Sequence, residues 1–297
     1  MSARVASGEF VAARTLFEQC LCHEGFQIRS DAAYRAVDGP QLPEDEHAVT
    51  HGHLAQTLAF LGHIDQARTR ANQALSEAHR LQHADVLAFV LFSACRVEWV
   101  AGSPHDVQRY AEQAVALSSQ HDFAFWLSYA TIYRLWSLTA LGQAQEVALL
   151  AKGLSAGRDT GAVVNVPEAL MMLAGAYAQL GRSIEGLDCL TEAAQIIGAT
   201  DTRCVEAESY RLRGDLLNGT GDRAAAEQNY RLALAVAERQ SAKTFELRAA
   251  TSLARLWRDQ GKRAKACNLL APIYGWFTEG FDTPVLKDAK ELLDQLA

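Results

Sequence analysis

Apolar positions recur at intervals of three and four along most of the chain, the spacing of one face of an α-helix. Leu54, Leu58 and Leu61 show it early, Leu173, Tyr177 and Leu180 midway, and Leu253 and Trp257 late. Six of these runs end on a glycine, and the glycines are themselves periodic. They stand at 62, 102, 142, 181, 221 and 261, with successive differences of 40, 40, 39, 40 and 40. A glycine just past a helix supplies the left-handed residue that ends it and reverses the chain. A second helical pattern follows each one, opened by a capping residue at Ser103 (before Pro104) and at Asp222. The pattern predicts six helical hairpins over 47–282. One hairpin cannot bury its own apolar face, but a stack of them can. The predicted fold is all-α, a solenoid of stacked hairpins.

The ends depart from the period. "SGEFVAARTLFEQCLCH" reads as the second helix of a hairpin turned at Gly8, with its first helix missing. Either the chain is cut there from a longer one or this edge packs on something else, an upstream domain or a second copy. Residues 1–46 are thus a partial repeat and a linker, "AVDGPQLPEDEH", whose glycine, prolines and acids mark a loop. Glu44, Asp45 and Glu46 fall at the next helix start, where the dipole favours acids. At the other end, "YGWFTEGFDTP" gathers Tyr274, Trp276, Phe277 and Phe281. The period puts Tyr274 to Phe277 in the last turns of a helix ended by Gly280. Thr283 and Pro284 then open a capping helix over 283–297, with Val285, Leu286, Ala289, Leu292, Leu293 and Leu296 turned to the stack. The aromatic cluster is expected to fill that joint, with Trp276 as buried core.

The repeats resemble the tetratricopeptide family. The fourth unit carries Leu170, Leu173, Ala174, Tyr177, Gly181, Leu190 and Ala193; the fifth Tyr210, Gly214, Leu217, Gly221, Ala226, Tyr230 and Ala233. The sixth gives Leu253, Ala254, Trp257, Gly261, Ala266 and Leu270, and the first Leu54, Ala55, Leu58, Gly62, Ala67 and Ala74. Glu98 and Leu135 depart from the pattern, and the period exceeds the family's usual 34. The resemblance implies a right-handed superhelix whose first helices line a concave face. Residues 246–296, with "FWLSYATIYRLWSLTALGQ" and "HLAQTLAFLGHIDQA", are similar to something narrower. They resemble the C-terminal repeat region of bacterial adenylate/guanylate cyclase–ATPase (STAND-type) signalling proteins. That implies a cytoplasmic sensor or partner-binding arm, not the cyclase or the ATPase. No Walker phosphate loop occurs in the chain.

Composition changes this picture little. The net charge of −7 argues against nucleic acid as the main partner, and no apolar run has membrane-spanning length. No catalytic constellation and no cofactor motif is evident, so a non-catalytic module is expected. Cys20, Cys22 and His23 do not share one helix face. His47/His51 and His79/His83 are spaced i, i+4 but lack a third ligand, and read as exposed helical histidines rather than metal sites.

Candidate binding residues come from the concave positions. The second unit offers Phe89, Phe92, Arg96 and Trp99; the third Tyr129 and Trp136; the fifth Arg211, Asp215 and Asn218; the sixth Arg248, Thr251, Arg255 and Arg258. Residues 243–265 hold seven basic and two acidic side chains, an excess of +5, leaving −12 elsewhere. The set describes a groove aromatic at one end and basic at the other, fit for a peptide or protein with apolar anchors and an acidic segment. Two alternatives stand beside it. The aromatics serve equally as inter-helix core, and the arginines as partners of acids within the array. A second functional class also stays open, a small-ligand or signal-peptide sensor relaying to an attached effector. An enclosed pocket with convergent polar groups would favour the sensor, an open groove the protein partner.

Overall fold

The computed structural model describes residues 2–22, 46–143, 153–155 and 165–297. The predicted linker around 36–45, His23, and the second helix of the third unit lie outside them. Among the described residues there are helices and turns and no strands, and no helix is long and apolar enough to cross a membrane.

The hairpins run in sequence order. Before them come a five-residue helix, α1 (Ser2–Ala6), and α2 (Phe10–Cys22). The first unit pairs α3 (Glu46–Leu61) with α4 (Ile64–Leu81), and the second α5 (Ala84–Ala101) with α6 (Pro104–Gln120). The third contributes α7 (Ala124–Ala140), the fourth α8 (Val166–Gln179) and α9 (Ser183–Thr200). The fifth pairs α10 (Glu206–Gly219) with α11 (Arg223–Gln240), the sixth α12 (Lys243–Asp259) with α13 (Arg263–Tyr274). A final helix, α14 (Pro284–Leu296), follows.

All six periodic glycines have positive φ, between 69° and 93°, so the 40-residue period is a period of left-handed turns. Asp222 caps α11 as expected, accepting from Ala225 N at 3.0 Å. Ser103 makes no side-chain cap bond, and Pro104 alone marks that start. Gly8 is also left-handed (φ 82°), and α1 supplies the first helix that the sequence shows as missing.

The array bends until it meets itself. Each first helix packs on the next, in the order α3, α5, α7, α8, α10, α12, and α12 then returns to α3 and α5. Thr244 Oγ1 donates to Ala59 O at 2.7 Å, and Phe245 sits between Phe60 (5.4 Å) and Trp99 (6.0 Å). Arg248 Nη2 donates to the carbonyls of Trp99 (2.7 Å) and Val100 (3.0 Å), at the C-terminal end of α5, where orphan acceptors gather. On the outside, Glu279 accepts from the backbone N–H groups of Asp65 (3.1 Å) and Gln66 (3.2 Å), in the first turn of α4. Arg68 bridges Glu98 and Asp282, each at 2.9 Å. The approach at Gly62 is close: an added Cβ would lie 2.9 Å from both Lys243 and Trp276. The result is a closed circuit of six first helices, whose inner side is the lumen.

The C-terminal joint differs from expectation in one respect. The sixth unit's second helix ends at Tyr274, and Gly275 caps it, so Trp276 and Phe277 belong to the turn that follows. Phe277 points inward and is 5% exposed, while Trp276 is 40% exposed, against His63 and under Lys243. Thr283 accepts from Leu286 N, Pro284 opens α14, and Leu286, Ala289, Leu292 and Leu296 are buried against the sixth unit. Phe277→Ala should therefore cost about 3–5 kcal/mol of stability. Trp276→Ala should cost only about 1–2 kcal/mol. Urea denaturation of the two variants measures both, and equal losses would contradict this joint.

Candidate functional site

The lumen is laced by arginines. Arg96, on α5, donates from Nη1 to Gln56 Oε1 on α3 (2.9 Å) and from Nη2 to Asn165 Oδ1 before α8 (3.1 Å). Its Nη2 also lies 2.7 Å from a carboxylate oxygen of Glu168 on α8. Tyr133 of α7 donates to the other oxygen of Glu168. Gln56 Nε2 donates to Ser93 Oγ at 2.7 Å, which donates to Phe89 O at 3.0 Å. Arg96 and Glu168 are 7% and 4% exposed. Burial works against the Arg96 charge, but the groups around it, Glu168 foremost, together more than offset it and hold the guanidinium protonated. Burial, with Glu168 adding to it, pushes the Tyr133 hydroxyl well above its usual range.

Beside this network is a cavity of about 180 Å³, lined by His53, Gln56, Phe89, Phe92, Arg96, Trp126, Asn165 and Cys204 and closed on one side by Val5 and Ala6 of α1. Its walls are aromatic. His53 stacks on Phe17 at 5.6 Å and tilts against Phe89 at 4.7 Å. Trp126 lies 5.9 Å from Phe89 and 5.7 Å from Phe92. Arg96 sits over the Phe92 ring at 4.9 Å. The volume matches one large side chain. Aromatic walls with an amide, an imidazole and a paired guanidinium on one side favour an apolar group carrying a hydrogen-bonding edge.

A second arginine network lies between α10 and α12. Glu208, 3% exposed, accepts from Arg211 (2.7 Å) and from Arg248 (3.0 Å). Burial alone would raise its pKa, but the two guanidinium groups hold it below the usual carboxylate range. Burial disfavours the Arg248 charge, and Glu208 opposes that effect. Asp215 accepts from Tyr230 Oη at 2.8 Å and pairs with Arg211. Of the other candidates, Arg255 pairs with Asp288, and Thr251 is buried. Arg258 reaches Gln295 on α14 (2.6 Å), and Asn218 is exposed at the end of α10.

The candidate residues thus fall in several places. Phe89, Phe92 and Arg96 meet at the aromatic cavity. Arg211, Arg248, Thr251 and Arg255 line a second cavity, farther toward the C-terminal ends of the first helices. Trp99 belongs to the closing seam, and Tyr129 and Trp136 pack into the core. Sequence reasoning missed Gln56, Trp126, Asn165, Glu168 and Glu208. A signal was present for two of them: Gln56 and Glu168 interrupt otherwise apolar helices, "HLAQTLAFL" and "VPEALMMLAGAYA". His51 is buried and touches His47 at 4.6 Å, contrary to the exposed pair expected, while His79 and His83 are exposed. Among the described residues, no set of three side chains is placed to hold a metal.

No protein-family model matches the chain, and no curated protein matches it. Solved structures do. The crystal structure of NprR in complex with its cognate peptide NprX aligns with a TM-score of 0.63 at 10% identity, over 96% of this chain and 82% of that one. A Rap protein complexed with Competence and Sporulation Factor aligns at 0.57 and 12% identity, over 98% and 97%. The fold is that of a tetratricopeptide-type repeat protein. A STAND protein with a tetratricopeptide repeat sensor, from Pyrococcus horikoshii, aligns at 0.47 and 14% identity, over 91% of this chain and 43% of that one.

Two measurements probe the lumen of this tetratricopeptide-type array. Glu168→Ala strands the Arg96 charge in the interior and should cost about 3–5 kcal/mol, read by denaturant unfolding. Its pH dependence is set in part by histidine. Burial lowers the pKa of His51 and of His53 to about 4. The unfolded chain, with histidine near 6.5, therefore takes up protons first as the pH falls. Their contribution is complete above 6.5 and is lost between 6.5 and about 4. His53→Phe, which keeps the aromatic stack, should flatten the fall in melting temperature across that window; an unchanged slope would refute the assignment.

Proposed function

We propose that the array is a regulatory sensor module that takes a short peptide, or a small ligand resembling one, into its lumen. A bulky side chain of the ligand enters the aromatic cavity as its anchor. The observation that carries this reading is the cavity at Arg96, where Phe89, Phe92 and Trp126 converge with Gln56 and Asn165. A long partner segment needs an open groove, and here the lumen is narrowed by the return of α12 to α3 and α5. The similarity of fold to NprR with its peptide, and to Rap with its factor, supports the same reading. In this proposal the array has no chemistry of its own. It binds and passes the bound state to an effector outside these repeats, of the cyclase or ATPase kind that the C-terminal sequence suggests. A soluble, cytoplasmic setting fits such a role.

The anchor makes the reading testable. A library of short peptides, screened by thermal melting, should contain members that stabilise the wild-type chain. A ligand present at about one hundred times its Kd adds about 2.7 kcal/mol. Phe89→Ala and Trp126→Ala should remain folded and lose that stabilisation. Ligands that bind the two variants and the wild type equally would place the site elsewhere.

A further inference from the structure

The second cavity, of about 400 Å³, lies between α10, α12 and the first turn of α14, against Gly102. It shares no lining residue with the aromatic cavity. Three guanidinium groups face it, and they are not equivalent. Arg211 and Arg248 are committed: buried Glu208 lies between them, Asp215 takes Arg211, and the carbonyls of Trp99 and Val100 take Arg248. With Glu208 and Asp215 they form a group of net zero charge. Arg255 makes one charged contact, to Asp288 on α14, and these two side chains are 40% and 48% exposed. Ser252 Oγ accepts from Arg211 Nη1 at 3.4 Å, which leaves its proton to donate. Val285, in the first turn of the 13-residue α14, brings the positive end of that helix to the same space.

We propose that this cavity is a carboxylate-binding site, in which a ligand carboxylate replaces Asp288 on Arg255. The site already holds a carboxylate, so its geometry suits that group. An ion pair so exposed is weak, because both partners stay solvated and both side chains must be ordered, and it yields readily to a competitor. An incoming carboxylate meets the bidentate fork of Arg255, the Ser252 hydroxyl and the first turn of α14 together. Once Asp288 lets go, nothing else in the cavity cancels the Arg255 charge. The volume exceeds what one carboxylate fills, so the ligand is a short dicarboxylate or an acidic residue of a peptide. The site stands on its own observations and does not depend on the aromatic anchor.

The test titrates the full chain with succinate at fixed ionic strength, with sodium chloride as the control, by calorimetry and thermal melting. Four variants accompany the wild type; Arg255 and Asp288 reach solvent, and far-UV circular dichroism confirms folding. Succinate should bind the wild type, and Asp288→Asn about fivefold more tightly, since its internal competitor is gone. Arg255→Ala should bind at least about tenfold more weakly, and Arg255→Lys more weakly than wild type despite its charge. Phe89→Ala should bind as wild type does. An Asp288→Asn affinity equal to wild type, or an Arg255→Ala affinity equal to it, overturns the proposal. Tighter binding of inorganic phosphate than of succinate overturns the carboxylate assignment. Loss of succinate binding in Phe89→Ala overturns the separateness of the two sites.

Discussion

The structure turns on the Arg96 guanidinium. From one position on α5 it reaches Gln56 on α3, Asn165 and Glu168 at the start of α8, and, through Glu168, Tyr133 on α7. Four consecutive units are fastened by one side chain at the lumen. A buried cation is tolerated only when its donors are matched by acceptors and its charge by a countercharge. That requirement dictates an acid at 168 and an amide at 165, both at the start of α8, and an amide at 56 on α3. Apolar ridges leave neighbouring repeats some freedom to slide, whereas a guanidinium fork fixes angles as well as distances. The bend between the first four units is therefore set by hydrogen-bond geometry as much as by packing.

Closure follows the same logic at the other half of the ring. Glu208 joins α10 to α12 through Arg211 and Arg248, and Arg248 then ends on the last carbonyls of α5. The Trp99 carbonyl takes the capping N–H of Gly102 at 3.1 Å and has a second lone pair for Arg248, so a cation there suits both acceptors and dipole. Phe245, between Phe60 and Trp99, adds the apolar part of the seam. The net −12 carried outside the basic segment is not spread idly: Glu208, Asp288 and Glu227 meet Arg248, Arg255 and Lys265 across the helices. Of the basic stretch at 243–265, Arg248 crosses the seam, while Arg255, Arg258 and Arg263 fasten the capping helix α14.

What the sequence shows and what it hides divide along the range of the interactions. The hairpins are legible because each turn is local: a helix stops where a glycine adopts positive φ, and the 40-residue period records that directly. The cap is legible for the same reason, through Thr283 and Pro284. Closure is not, because the contact of Thr244 with Ala59 leaves no trace in either local pattern. The joint at Trp276 falls between these cases. Its place in the chain was readable, but which ring faces inward depends on the helix ending at Tyr274, a shift of a few residues that Pro272 and Gly275 bring about. For the lumen, the aromatic residues Phe89 and Phe92 were visible on their stripe. Apart from Arg96, the groups that give the cavity its polarity come from α3 and the start of α8, and periodicity within one helix cannot align them.

Closure also decides what kind of ligand the interior can serve. In an open superhelix the concave face is a continuous strip, and a long segment binds by summing many weak contacts. A circuit whose last first-helix returns to its first offers separate cavities, one aromatic and of side-chain size, the other larger and lined by arginines. On the proposed reading each takes a single group, so discrimination comes from shape and hydrogen-bond matching at one residue rather than from length. Both cavities also abut the elements that complete the ring. Val5 and Ala6 of α1 close the first, and Val285 and Asp288 of α14 border the second. A ligand in either therefore touches a terminal helix, and the ends of the array are where a neighbouring domain would join. In the proposed sensor role, occupancy that moves α1 or α14 would change the surface such a domain meets, and that would be a physical means of reporting what is bound.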